Sequence, residues 1–261
     1  MYLDGTPAAT RVLNEGWTLT WDGAHQPLPA RVPGYAQHDL FDAGLLPDPF
    51  FRDNEHLWQP WCDRDYTYTC SFDTDEALRS CATIELVFDG IDTVADVWLN
   101  DQNILSADNM YRTWRVAVQE LLRPAGNTLR VELHSPVRVC AEREARYKDS
   151  SPVLSVPLDQ RRHLRKMPCS FGWDWGIKLP LSGIWKAVRL EGYATARIAE
   201  LWHATVKADA QQARIEGGVR IVRAAACACE VLITVTAPDG AMHQQTLALP
   251  DGPDSAAFAC D

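Results

Sequence analysis

Apolar and polar residues alternate with a period of two along much of this chain, and this pattern is the strongest constraint on its fold. It is clearest in "TIELVF" (83–88) and "TLRVELH" (128–134). Alternation with this period places every second side chain on one face of a β-strand. Each segment therefore predicts a strand with one face on a core.

Turn signals separate the alternating segments, and helical signals are few. The segment "DTVADVWLNDQNIL" (92–105) predicts two strands joined at Asn100–Asp101, because these residue types tolerate the left-handed backbone of a tight hairpin. Helices are indicated in "YAQHDLFDAGL" (35–45), which ends near a glycine, and more weakly in "VCAEREARYK" (139–148). Many short strands without alternating helices favour an antiparallel sandwich.

The length of 261 residues exceeds that of a typical domain of about 100 to 200 residues. A first unit closes near Tyr193, and four strand-like segments follow it. An immunoglobulin-like sandwich needs about seven strands in about 100 residues. We therefore predict a first domain at 1–194 and an incomplete second sandwich at 195–261, so that the chain ends inside a domain.

Charge and hydropathy exclude several classes of partner. A net charge of −10 repels a phosphate backbone, and the basic run "RRHLRK" (161–166) is expected to be a solvated loop, so no nucleic-acid partner is predicted. The first residues lack a basic segment followed by an apolar run, and no stretch approaches about 18 apolar residues. We therefore expect no membrane contact and a cytoplasmic protein.

The eight cysteines show no Cys-x-x-Cys spacing, and the seven histidines show no ligand spacing. Cys227 and Cys229 alternate within "ACACEVLITV" (226–235), which predicts that both lie on one face of a strand. We expect reduced, buried thiols there, with a metal-binding pair as the alternative. No structural metal and no cofactor are predicted.

The segment "SFGWDWGIKLPLSGIW" (170–185) places Asp174 between Trp173 and Trp175, with Gly172 and Gly176 outside them. If the segment is extended, Asp174 points away from the two indoles. A carboxylate can accept hydrogen bonds from two sugar hydroxyls, and an indole offers a flat surface to the C–H face of a pyranose. The alternative is that the indoles belong to a core and Asp174 caps a turn.

Three segments carry a family resemblance: "VPGYAQHDLFDAGLLPDPFFRDNE" (32–55), "GIDTVADVWLNDQNILSADNMYRTWRV" (90–116) and "SFGWDWGIKLPLSGIWKAVRLE" (170–191). Together they resemble the N-terminal sugar-binding domain of β-mannosidases in the family-2 glycoside hydrolases, over about residues 10 to 193. The resemblance implies an all-β fold, with a jelly-roll (galactose-binding-like) β-sandwich followed by a partial immunoglobulin-like β-sandwich.

The same resemblance implies the site residues. In β-mannosidases this loop reaches into the active site of a neighbouring catalytic barrel, where the residues matching Asp174 and Trp173 contact the sugar. Arg165 is expected to line that pocket, with Arg161 and Arg162 as competitors. Four further polar or aromatic residues are expected to be structural: Asp108, Asn109, Arg112 and Trp185.

The catalytic residues of the family lie elsewhere. The resemblance implies two glutamates on a (β/α)8 barrel, the acid/base following an asparagine. Asn14–Glu15 and Asn54–Glu55 match that dipeptide, but both lie in the region resembling the sugar-binding domain, and we reject them. No strand–helix alternation long enough for a barrel of about 250 residues is present, so no catalytic residue is predicted in this chain.

Two functions from different classes remain open. The first is the non-catalytic N-terminal portion of a β-mannosidase, with a β-mannoside or another glycan and a C-terminal catalytic barrel as partners. The second is a free-standing carbohydrate-binding module that uses the same loop. The expected ending inside a domain favours the first. A family-2 β-galactosidase, β-glucuronidase or exo-glucosaminidase is the alternative for the substrate.

Overall fold

The computed structural model describes residues 6–147, 163–209 and 212–260, and strands dominate these ranges. The strands are β1 Ala9–Val12, β2 Trp17–Trp21, β3 Leu28–Ala30, β4 Tyr66–Phe72, β5 Thr83–Phe88, β6 Ala95–Leu99, β7 Gln102–Ala107, β8 Trp114–Ala117, β9 Asn127–Leu133, β10 Phe171–Trp173, β11 Gly176–Lys178, β12 Val188–Tyr193, β13 Ala196–Ala208, β14 Ala213–Arg223, β15 Cys229–Thr236, β16 Met242–Leu249 and β17 Ser255–Cys260. The helices are α1 Ala36–Asp42, α2 Glu55–Cys62, α3 Glu76–Arg79 and α4 Pro136–Tyr147, with a 3-10 helix at Pro168–Ser170. The prediction of an all-β fold is confirmed.

The described residues divide into two compact units, which are treated separately. The larger contains residues 11–75, 85–147 and 163–190, and the smaller contains residues 6–10, 76–84, 191–209 and 212–260. The predicted domain boundary between residues 194 and 195 stays a prediction.

The main sheet has six strands in the order β3–β2–β4–β9–β6–β7, all paired antiparallel. A four-stranded sheet has the order β1–β12–β5–β8. Strands β4, β6 and β9 bury alternate residues, as the period of two predicts. The largest buried side chains of β4 are Tyr66 and Tyr68, and Leu129 and Leu133 of β9 are fully buried.

Strand β5 departs from the predicted pattern of one buried face. Glu85 and Val87 are buried as well as the apolar residues on the other face. The Glu85 carboxylate is 3.1 Å from a guanidinium nitrogen of Arg115 on the neighbouring strand β8. The second face of β5 can therefore be buried, because Arg115 pairs with the Glu85 carboxylate and no unpaired charge is left.

The predicted hairpin and the two predicted helices are present. Asn100 and Asp101 join β6 to β7 with positive φ values of 50° and 68°, the conformation expected for this turn. Helices α1 and α4 occupy the two segments that carried helical signals. Among the described residues, no helix has the length and apolar character needed to cross a bilayer.

Helix α2 was not predicted from the sequence. It contains Pro60, which normally marks a helix boundary because proline lacks the N–H group and clashes with the preceding turn. Trp58 is almost fully buried, and its indole N–H donates to the Pro47 carbonyl at 2.9 Å. Tertiary packing of Trp58 therefore holds a helix that local sequence disfavours.

Most of the smaller unit consists of two antiparallel sheets, β13–β14–β17 and β15–β16. Its core includes Val219, Ile221, Val231, Leu249 and Phe258. The four strand-like segments predicted after Tyr193 correspond to β13 through β16. Strand β17 was missed because half of its six residues are alanine, which is not typical of strands.

Candidate functional site

The glycine-flanked loop forms a short hairpin on the larger unit. Trp173 of β10 pairs with Gly176 of β11, and the two residues between them, Asp174 and Trp175, form the turn. Asp174 is exposed, and the side chains around it reach solvent: Trp173 is 53% exposed and Trp175 is 87% exposed. The tip therefore presents one carboxylate and two indoles to a ligand.

Residues 173–175 are not extended, so the condition under which Asp174 points away from both indoles is not met. Because Trp173 and Gly176 face each other across the hairpin, the chain must reverse at Asp174 and Trp175, so strict alternation of side chains does not apply there. Gly172 has a φ of +100°, a conformation that glycine adopts without strain. The alternative assignment of the two indoles to a core is also excluded by their exposure.

Helix α2 holds the second strand of the hairpin by its main chain. The Lys178 N–H donates to Glu55 Oε2 at 3.2 Å, and the Gln59 side-chain amide donates to the Lys178 carbonyl. Glu55, which matched the Asn–Glu dipeptide of the family's acid/base, thus contacts the backbone of β11. The main-chain N–H and the carbonyl of Lys178 are both held from one face of helix α2, because Glu55 and Gln59 are four residues apart.

Replacing Glu55 with alanine should loosen this attachment. Loss of one hydrogen bond of about 1 kcal/mol predicts amide exchange at Lys178 about five- to tenfold faster, with the rest of the larger unit unchanged. Hydrogen exchange followed residue by residue by NMR measures this. The neighbouring exposed His56, changed to alanine, is the matched control. Equal protection of Lys178 in the two variants would contradict the contact.

Arg165 lies just before the 3-10 helix that leads into β10. Its carbonyl accepts from the Met110 N–H at 3.0 Å, and it forms an isolated parallel bridge with Asn109. Its side chain is exposed. The competitors Arg161 and Arg162 lie outside the described residues, so the choice among the three arginines stays a prediction.

Lys166, the next residue, is buried and paired. Its Nζ is 2.5 Å from Asp92 Oδ2 and 2.6 Å from the Leu181 carbonyl, and both charged side chains are at most 2% exposed. Burial lowers the pKa of Lys166, and the Asp92 carboxylate opposes that shift. The Lys166 ammonium therefore joins Asp92, through the ion pair, to the segment that follows the hairpin, through the Leu181 carbonyl.

Asp92 also fixes that segment by its main chain. Its N–H donates to the Gly183 carbonyl at 2.8 Å, and the Gly183 N–H donates back at 2.9 Å. Gly183 is required here because a Cβ would lie 2.2 Å from the Gly34 carbonyl oxygen. Burial, and then the Asp92 carboxylate, raise the pKa of Tyr35. Asp92 thus contacts Lys166, before the hairpin, through its carboxylate and Gly183, after the hairpin, through its main chain.

Three of the four residues expected to be structural have structural contacts. The Trp185 indole N–H donates to the Met110 carbonyl at 3.1 Å. Asn109 Oδ1 accepts from the Tyr111 N–H, and the Arg112 guanidinium lies 4.6 Å from the centre of the Trp114 ring. Asp108 is exposed.

The arrangement can bind a polyhydroxylated ring but offers no metal centre. Asp174 is an acceptor for hydroxyl groups, and the indoles provide apolar faces. Within the described ranges, no group of three or more His, Cys, Asp or Glu side chains is placed to hold a metal ion.

Comparison with known proteins identifies the larger unit. A family model described as "Glycosyl hydrolase 2 galactose-binding domain-like" matches residues 17–186. A β-mannosidase of Mus musculus is 32% identical over 208 residues, which cover 77% of this chain and 23% of that protein. β-Mannosidase B of Emericella nidulans is 35% identical over 218 residues, which cover 80% of this chain and 25% of that protein.

A solved structure is similar over nearly the whole chain. The crystal structure of the β-D-mannosidase from Dictyoglomus thermophilum superposes with a TM-score of 0.85 at 30% sequence identity, covering 96% of this chain and 30% of that one. This chain spans about a quarter of the length of the curated relatives that it matches. The matched segment includes the hairpin, Arg165 and the Lys166–Asp92 pair. The chain therefore belongs to glycosyl hydrolase family 2, and its residues 17–186 form the galactose-binding-like domain of that family.

Proposed function

We propose that this chain supplies the sugar-contacting hairpin of a β-mannosidase active site. Asp174 accepts hydrogen bonds from ring hydroxyls, Trp173 packs on the apolar face of the sugar, and Arg165 lines the pocket. The exposed hairpin tip carries the proposal, because a carboxylate and an indole held on an anchored turn suit a pyranose. The similarity to β-mannosidases favours mannose over its epimers.

The catalytic carboxyl groups belong, in this proposal, to a barrel in the same longer polypeptide. A retaining glycosidase places two carboxyl groups about 5 to 5.5 Å apart. The described hairpin offers Asp174 alone, and Glu55 is engaged with the backbone of Lys178. The partners are then a β-mannoside and the catalytic barrel. The net charge of −10 argues against nucleic acid.

Assays of hydrolysis and of sugar binding by the purified 261-residue chain test whether catalysis belongs to the barrel and sugar contact to this chain. We expect no hydrolysis of a chromogenic β-mannoside under conditions in which the complete D. thermophilum enzyme is active. We also expect only millimolar or weaker binding of methyl β-mannoside, because a hairpin encloses little of a sugar ring. Changes at the indole N–H signals of Trp173 and Trp175, followed by NMR, report that binding.

The outcomes separate the alternatives. Hydrolysis that survives rigorous purification would overturn the division of labour. Micromolar or tighter binding without hydrolysis would favour a free-standing carbohydrate-binding module. No change at the two indoles at saturating sugar concentrations, with unchanged folding, would contradict the proposed site.

We also propose a cytoplasmic location. The eight cysteines are all reduced, and four of them are buried: Cys62, Cys70, Cys140 and Cys229. Thiols persist in this form in a reducing compartment. Fractionation of the source cells with a cytoplasmic marker enzyme tests the location, and recovery with secreted proteins would contradict it.

A further inference from the structure

Two thiols meet in the smaller unit. The Sγ atoms of Cys227 and Cys229 are 3.8 Å apart, which is close to van der Waals contact. Cys229 begins β15, whereas Cys227 precedes it in the connection from β14. The expectation that both lie within one strand is therefore wrong, although the two sulfurs do come together. Cys227 is half-buried and Cys229 is buried.

A fixed guanidinium accompanies the two thiols. Arg223 Nη1 lies 3.3 Å from Cys229 Sγ and also donates to the Cys227 carbonyl. Its other nitrogens bind the Asp254 carboxylate at 3.0 Å and the Pro253 carbonyl at 2.7 Å. With so many partners the guanidinium cannot turn away, so a positive charge stays beside the sulfurs.

The positive charge of Arg223 decides whether the thiol pair is better suited to metal binding or to oxidation. A cation beside the sulfurs opposes binding of a metal ion, and the described residues provide no third metal ligand in this cluster. Burial and the neighbouring Cys227 raise the pKa of Cys229, and the Arg223 guanidinium opposes that rise, so it favours the thiolate, which is the reactive form of cysteine. The arrangement therefore favours oxidation of the pair over metal binding.

We propose that Cys227 and Cys229 form a peroxide-sensitive dithiol that closes to an intramolecular disulfide. The half-buried Cys227 is the attacking thiol, because a hydroperoxide can reach it. The buried Cys229, beside Arg223, is the resolving thiol. The co-reactant is hydrogen peroxide or another hydroperoxide.

The chemistry balances in two steps. The Cys227 thiolate attacks one peroxide oxygen and the O–O bond breaks, which gives a sulfenic acid and, after proton transfer, water. The Cys229 thiolate then attacks the sulfenic sulfur, the S–O bond breaks, and a second water leaves as the S–S bond forms. Two thiols are oxidised, one hydrogen peroxide is reduced, and two waters are released.

The local backbone permits this closure. The sulfurs must approach from 3.8 Å to about 2.05 Å. Residues 224–228 are outside regular strands, so the Cys227 side chain can rotate toward Cys229 while Cys229 keeps its place in β15. The movement requires no break in the pairing of β15 with β16, which starts at Cys229 and Leu249.

Mass spectrometry of the whole chain after peroxide treatment tests the proposal. Combined cleavage after Arg223 and after Glu230 releases residues 224–230, "AAACACE", which contain these two cysteines and no other. We expect this peptide to be lighter by two hydrogen atoms and to resist alkylation, and to take up two alkyl groups after reduction. A peptide that stays doubly alkylated while the exposed Cys169 is oxidised would overturn the proposal.

Variants assign the roles of the two thiols. Cys227→Ser and Cys229→Ser should each abolish the disulfide, and Cys260→Ser, the matched control, should leave it unchanged. In Cys229→Ser a dimedone adduct should accumulate at residue 227. A disulfide from either thiol to Cys260, or over-oxidation of Cys227 beside an unchanged Cys229 in the wild-type chain, would also overturn the pairing.

Discussion

Replacing Asp174 with alanine in a complete β-mannosidase that carries this chain as its N-terminal part should lower kcat/KM about 100- to 1,000-fold. Two charge-assisted hydrogen bonds to sugar hydroxyls, at about 1.5 to 2 kcal/mol each, account for a loss of this size. Asp174 is exposed at the hairpin tip, so its removal leaves no cavity and should change the free energy of unfolding by less than about 0.5 kcal/mol. Steady-state kinetics with a chromogenic β-mannoside and urea unfolding measure the two effects.

Two further variants make this result specific. Asp174→Asn keeps the shape of the side chain but loses the charge, so its loss in kcat/KM should be smaller than that of the alanine variant. Asp22→Ala removes another exposed carboxylate of the larger unit and should stay within about twofold of the wild type. A folded Asp174→Ala enzyme with unchanged kcat/KM would sink the proposed role.

Local chemistry explains which parts of the fold could be predicted. The turn at Asn100–Asp101 was predictable because few residues accept positive φ at both positions. Helix α2 was not, because Pro60 argues against a helix and the packing of Trp58 outweighs it. Sequence reasoning succeeded where the cause was local and failed where a distant contact decided.

In the candidate site, too, candidate residues could be named from the sequence, and distant contacts could not be predicted. The sequence left open whether the indoles around Asp174 face a ligand or belong to a core, and both their exposure and the position of the turn came from the fold. Lys166 belongs to a basic run that was read as a solvated loop, yet its side chain is buried against Asp92, 74 residues away. No sequence signal joins two single charges over that separation.

The Cys227–Cys229 pair could be predicted only in part. Alternation correctly brought Cys227 and Cys229 together, but the strand that should have carried both begins only at Cys229. Arg223, which gives the pair its electrostatic character, ends the preceding strand β14 and reaches the sulfurs across the connection. The proximity of the two thiols follows from their spacing in the sequence. The position of the Arg223 charge, which favours oxidation over metal binding, follows only from the fold.

Replacing Lys166 with methionine should lower the free energy of unfolding of the larger unit by about 3 to 5 kcal/mol. The change keeps much of the side-chain volume but leaves the Asp92 carboxylate buried without its cation, and an unpaired buried charge is far more costly than a lost surface pair. Nine of the ten tryptophans lie in the larger unit, so tryptophan fluorescence during urea unfolding reports this transition.

A second substitution separates loss of the charge pair from simple misfit of methionine. Asp92→Asn, added to Lys166→Met, removes the unpaired buried carboxylate. The free energy of unfolding of the double variant should therefore be at least about 1 kcal/mol higher than the sum of the losses in the two single variants predicts. Lys178→Met, at an exposed lysine of the same unit, should change stability by less than about 0.5 kcal/mol. If Lys166→Met were as stable as Lys178→Met, or if the two losses simply added, the pair would not be the electrostatic anchor of the segments around the hairpin.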